Sequence, residues 1–225
     1  MTLRLLAGLL VIAATPLGAQ GDVAARLAGR VSPEVAALVR QLAVDAAARG
    51  LPVDPLVQKA IEGGAKGVPA DRVASAVRGV AGQLDAAAGA LREGGMTPPD
   101  TEAIAAGAFA LNAGLRGQDV ADLARRSGDT YGVAATLRVA GTLAALGVPA
   151  AEIVALISET IRAGRRPADL LALPGRVQAE MARGATPAQA AAGLARAAAA
   201  RGNPNPPHPS PDPPGQSRPK NPHHP

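Results

Sequence analysis

The chain has 225 residues, with 54 alanines, 26 glycines and 21 prolines, a single Phe (Phe109), a single Tyr (Tyr131), and neither Trp nor Cys. Its three histidines, His208, His223 and His224, all lie within the last eighteen residues, so the chain before them cannot assemble a His-bearing nucleophilic triad, a Cys–His pair or an ordinary zinc site. The formal charge of +5 is small for a dedicated polyanion binder, and two aromatic rings cannot build a stacking platform for single-stranded bases.

Residues 1–20 have the layout of a secretory signal peptide. Arg4 supplies the positive start, Leu5 to Ala14 the apolar run, and Thr15-Pro16 the break before a small-residue end. Cleavage is expected after Ala19. The run is too short for a comfortable membrane span, and without Cys the mature end cannot carry a lipid. The expected localisation is therefore exported, periplasmic or extracellular, with no transmembrane span after cleavage.

The body, residues 21–202, reads as helical throughout. Val73, Val77, Val80, Leu84, Ala87 and Leu91 recur at steps of four and three, the stripe of a long helix. Val35, Leu38, Val39 and Leu42 do the same earlier, and Ile153, Ile157 and Ile161 later. Gly followed by Pro two or three residues on marks the boundaries, as at Gly50-Leu51-Pro52, Gly67-Val68-Pro69 and Gly147-Val148-Pro149. Gly closes one helix in the left-handed conformation and Pro opens the next. The expected helices are 33–49, 54–66, 70–92, 98–113, 118–126, 130–146, 149–163, 168–183 (broken at Pro174) and 187–201.

The triplet Gly50, Pro52, Gly67 reappears 97 residues later as Gly147, Pro149, Gly164, which suggests duplicated helical hairpins. Identity around the triplets is poor, and glycine is frequent enough to repeat by accident. The fold class expected is all-α, an array or bundle of short helical hairpins joined by Gly/Pro turns, with an α-solenoid as one form it can take. Residues 203–225 contain ten prolines and no large apolar side chain, and are expected to be disordered with polyproline II bias.

Few residues offer chemistry. Gly63-Gly64-Ala65-Lys66-Gly67 superficially resembles a phosphate-binding loop, but it lacks the Gly-Lys-Ser/Thr ending and a preceding strand. It reads better as a helix end with Lys66 at the negative dipole terminus. The arginine pairs Arg125-Arg126 and Arg165-Arg166 sit at expected helix ends, where cations complement the dipole and could also form an anion- or partner-binding rim. Asp100 with Glu102, and Asp119 with Asp122, are the carboxylate pairs that acid–base work on a glycan would need. Their places in first helical turns already account for them. Asn112 and Tyr131 read as interhelical hydrogen bonds or small plugs.

No catalytic residue, cofactor or metal is expected. The leading expectation is an exported, non-catalytic interaction or scaffold protein of the cell envelope or extracellular space, binding an envelope component or another protein. The alternatives are a carboxylate-dependent enzyme acting on cell-wall polymer, and a weak polyanion or membrane-surface binder using the arginine-rich helix ends.

Overall fold

The computed structural model describes residues 17–202, with side chains described from 22 to 201. Within that span the chain is all-helical and forms no strand. The elements are α1 (Leu17–Leu27), α2 (Pro33–Ala48), α3 (Asp54–Ala65), α4 (Ala70–Glu93), α5 (Thr101–Asn112), α6 (Gly117–Tyr131), α7 (Val133–Ala145), α8 (Ala150–Arg162), α9 (Pro167–Leu171), α10 (Leu173–Ala182) and α11 (Pro187–Gly202). Most of the signal segment and the whole Pro-rich tail lie outside the described residues. Among the described residues, no helix is long and apolar enough to cross a membrane.

Seven helices close in the same way. After α2, α3, α4, α5, α7, α8 and α10, a glycine with positive φ is followed by a residue whose amide reaches back to the third-last helical carbonyl. At α7, Gly147 (φ 83°) donates to the Ala144 carbonyl at 2.9 Å, and Val148 donates to the Leu143 carbonyl at 3.1 Å. This is the Schellman closure; a side chain at Gly147 would strain it. After three of these closures the following apolar residue turns inward, as Leu51, Leu115 and Val148 are all buried.

Helix starts depart from the sequence expectation in detail. Pro69 and Pro149 do not open the first turn but stand just outside it as caps, so α4 begins at residue 70 as expected and α8 begins one residue later than expected. The helix expected from residue 98 begins at Thr101, because a residue preceding proline is pushed out of the helical region and Pro98 precedes Pro99. Asp100 is the N-cap of that helix, accepting the Ala103 amide at 2.6 Å. The expected gap after residue 126 is a kink at Gly128 (φ 51°, ψ −170°), with residues 129–131 continuing to α7. The break assigned to Pro174 falls at Ala172, before Pro174 in the first turn of α10. α1 was not expected as a helix, and it runs across the anticipated cleavage point after Ala19. Only Val23 and Leu27 anchor its described part in the core, one step of four that makes no visible stripe.

Two stretches of chain follow one packing scheme. α1 packs on α2 and α3, α2 on α3 and α4, and α3 on α4. α6 packs on α7 and α8, α7 on α8, α9 and α10, and α8 on α9. α2 ends at Ala48 and α7 at Ala145, 97 residues apart, and α4 and α9 begin at the same separation. Short matches follow this register within a residue. Asp22-Val23-Ala24 corresponds to Asp119-Val120-Ala121, Val35-Ala36-Ala37 to Val133-Ala134-Ala135, and Pro69-Ala70-Asp71 to Pro167-Ala168-Asp169. Buried positions match as well, including Val23 with Val120 and Leu56 with Ile153.

The core is continuous along the body and made of Leu, Val and Ile with many alanines between them. Small residues set the closest contacts. A Cβ added to Gly141 would fall 2.5 Å from the Phe109 ring and 3.2 Å from Ala110 Cα, so α5 and α7 meet where α7 has no side chain. Phe109 lies over that glycine while remaining 43% exposed. Fully burying a large aliphatic side chain is worth about 1.5–3 kcal/mol and Ala much less, so this core holds by number and closeness of contacts.

Candidate functional site

The two glycines that resembled part of a phosphate loop have a structural task. Gly63 and Gly64 occupy the last turn of α3, where a Cβ would lie 2.6 Å from Val73 Cγ2 and 2.1 Å from the Arg30 carbonyl oxygen, respectively. They let the α1–α2 turn and the start of α4 press directly on α3. Lys66 caps the helix and pairs with Glu62 at 2.5 Å, which, with Lys59, holds the Glu62 carboxyl below its ordinary range.

Beside these glycines a pocket of about 320 Å³ opens between the α1–α2 turn and the α3–α4 turn. Its walls are Gly29, Arg30, Val31, Ser32, Val35, Gly64, Gly67, Val68, Ala70 and Val73. Val31 is half-buried, Val35 and Val73 are buried, and Val68 is 37% exposed. Arg30 is the one ionisable side chain among these ten. Sequence reasoning missed this pocket, because backbone close approach creates it; the Gly63-Gly64 pair was its visible trace.

The four arginines singled out by sequence have four different surroundings. Arg125 pairs with Asp122 and donates to the Glu93 carbonyl at 3.1 Å, capping the end of α4. Arg126 is exposed and forms no ion pair among the described residues. Arg166 is exposed and faces Asp169 at 3.6 Å. Arg165 is half-buried and lines a small cavity of about 30 Å³ with Thr160, Leu173, Arg176, Leu194, Ala197, Ala198 and Arg201. Arg165 of the α8–α9 turn, Arg176 of α10 and Arg201 of α11 thus line one small cavity. Arg176 is bound to Asp169 at 2.9 Å, which holds that carboxyl below its ordinary range. No shared cavity or hydrogen bond joins the 125–126 pair to the 165–166 pair.

The carboxylates are separately engaged. Asp100 caps α5, and Glu102 pairs with Arg138 of α7 at 2.8 Å. Asp122 pairs with Arg125. Asp119 is buried, at 6% exposure, and accepts from the Arg116 amide at 2.9 Å and its guanidinium at 3.0 and 3.1 Å. Bonding to Arg116 outweighs burial and keeps the Asp119 carboxyl below its ordinary range. None of these four lines either cavity. Among the described residues, no group of three or more acidic, His or Cys side chains is placed to hold a metal ion.

Asn112 and Tyr131 are both cross-links. Asn112 Oδ1 accepts from Gln83 Nε2 at 3.0 Å, joining α5 to α4. The Tyr131 hydroxyl donates to the Arg165 carbonyl at 2.5 Å, joining the α6–α7 junction to the α8–α9 turn. Compared with protein-family models, curated proteins and solved structures, the chain matches none.

Proposed function

We propose that this protein is an exported, non-catalytic helical interaction module, built from a duplicated unit in which α1–α4 correspond to α6–α10. The observation that carries the reading is the lining of the 320 Å³ pocket: valine, glycine, alanine and serine with Arg30 at hand, and no acid–base pair. Such a surface recognises a shape and offers no group to move a proton. Export is supported by the residue pattern of positions 1–20. The carboxylate-dependent enzyme is less well supported, since each candidate carboxylate already serves a cap or an arginine. Affinity capture from the native envelope with the mature chain, with and without residues 203–225, tests the proposal. Retention of a defined envelope component supports it. Reproducible turnover of cell-wall polymer by the purified chain, or capture of nothing, overturns it.

A second reading has one observation in its favour. Arg165, Arg176 and Arg201 line one cavity with Asp169 as the acid bonded to the cluster, an arrangement suited to holding a single anionic group at its mouth. Under this reading the protein contacts an anionic envelope polymer, and Arg165→Gln with Arg201→Gln abolishes low-salt binding to it.

A further inference from the structure

We infer that the arginine-lined cavity beside the end of α11 takes a doubly charged phosphate, free or as the terminal group of a phosphomonoester, and that this anion fastens the last turn of α11 to the α8–α9 turn. It rests on the anion-binding reading above, and adds the ligand's charge and size and the part of the fold that responds. The lining arginines come from three elements: Arg165 from the α8–α9 turn, Arg176 from α10 and Arg201 from the last turn of α11. Two of them are held in place before any ligand arrives. The Arg165 amide donates to the Thr160 carbonyl at 3.2 Å and its carbonyl accepts from the Tyr131 hydroxyl, so its backbone is fixed on both sides. The Arg176 guanidinium is bonded to Asp169 at 2.9 Å. Arg201 is exposed, on a helix whose fully buried side chains are Ala190, Ala191 and Ala195. Neither Arg165 nor Arg201 forms an ion pair among the described residues.

Charge and size select the ligand. Setting Asp169 against the three lining arginines leaves an excess of two positive charges, which a phosphomonoester, at about −1.5 to −2 near pH 7, balances. A carboxylate or a phosphodiester supplies one charge only. Leu173, Leu194, Ala197 and Ala198 complete the lining and offer nothing polar, while the Thr160 hydroxyl already donates to the Leu156 carbonyl at 2.8 Å. The cavity of about 30 Å³ has room for one oxygen-sized group. The ligand therefore inserts an end and keeps its remainder at the mouth, which suits a terminal phosphate and excludes a sugar ring. Bound between Arg165 and Arg201, the anion joins two elements that otherwise meet through leucine and alanine. The competing role of these arginines, complementing the carbonyl ends of α8 and α11, needs no ligand and predicts that phosphate changes nothing.

The test follows amide hydrogen exchange across α11 in the mature chain while inorganic phosphate, methyl phosphate, dimethyl phosphate or acetate is titrated in, ionic strength being matched with sodium chloride. A ligand that binds only the closed helix slows its opening by one plus the ratio of ligand concentration to Kd, about elevenfold at ten times Kd. Inorganic and methyl phosphate should slow residues 197–201 in this saturable way and raise the melting temperature. Dimethyl phosphate and acetate should bind at least about tenfold more weakly, the factor one lost charge-assisted hydrogen bond supplies. Arg165→Gln and Arg201→Gln should each abolish the slowing. Arg196→Gln, which removes the same charge from the same helix away from the cavity, should keep it. Vesicles bearing phosphatidic acid distinguish the source: binding lost in Arg201→Gln assigns a lipid headgroup, and slowing by soluble phosphates alone assigns a soluble ligand. Exchange that phosphate leaves unaltered up to tens of millimolar overturns the inference. So does equal slowing by dimethyl phosphate, slowing retained in Arg165→Gln or Arg201→Gln, or slowing lost in Arg196→Gln. Binding of an anionic polymer without phosphate protection of α11 would sink this inference and leave the anion-binding reading standing; protection without polymer binding would do the reverse.

Discussion

The Tyr131 hydroxyl and the Arg165 carbonyl oxygen lie 2.5 Å apart, 34 positions apart in sequence. This bond ties the kinked junction after Gly128 to the turn that closes α8, at the edge of the arginine cluster. Removing only the hydroxyl, in Tyr131→Phe, should cost about 0.5–1.5 kcal/mol. Tyr131→Ala should cost more, because the ring packs against the core. Urea denaturation midpoints of the two variants check the order. An unchanged midpoint in Tyr131→Phe would mean that the bond contributes nothing in solution.

Two glycines of the first stretch should respond to alanine with opposite signs. Gly64→Ala places a Cβ 2.1 Å from the Arg30 carbonyl oxygen, so the α1–α2 turn must move. The cost should be about 1–3 kcal/mol, as for other overpacked sites. Gly79 lies within α4 with open space around its missing Cβ. Gly79→Ala should stabilise by about 0.5–1 kcal/mol through helix propensity. Thermal unfolding of the pair checks both signs together.

Asp119 predicts a specific acid sensitivity. Its folded carboxyl sits below its ordinary value because Arg116 bonds the charged form. A depressed folded value means that its stabilisation is complete above the unfolded value of about 3.9, and is lost as pH falls through the lower folded value. Asp119→Asn should cost about 1 kcal/mol at neutral pH and flatten the stability profile below about pH 4. Denaturation midpoints between pH 2 and 7 for both proteins measure this.

α11 should exchange its amide hydrogens faster than α4 or α8. It packs on α8 and α10, but the side chains it buries fully are Ala190, Ala191 and Ala195, with Leu194 half-buried. Alanine contributes little burial energy per residue, so local opening there is cheap. Strong protection at residues 190–200 would contradict this.

Helix boundaries were legible in the sequence because this chain writes them in backbone chemistry. A glycine such as Gly147 is needed where φ is positive, and a proline such as Pro187 suits a first turn, so each boundary has a local cause. α1 was not legible, since one pair of apolar residues, Val23 and Leu27, makes no periodic stripe and becomes core only when α2 and α3 cover it. Tyr131 could be recognised as a cross-link but not given its partner, because a backbone carbonyl leaves no mark in sequence. The surroundings of the arginine pairs were not legible for a related reason. Arg165 does reach a cluster, but its companions there are Arg176 and Arg201, brought by folding, and the adjacent Arg166 faces solvent. The pocket was hidden because its walls are ordinary valines and glycines; only the approach of Arg30 to Gly64 makes them a site.

Photo-crosslinking in the native cell tests most directly whether that pocket is a recognition surface. A benzoylphenylalanine replacing Val68 should give one discrete adduct with an envelope or extracellular protein, and the same group at Gly79, on the open face of α4, should not. An adduct at both positions, or at neither, would contradict the interaction module proposed here.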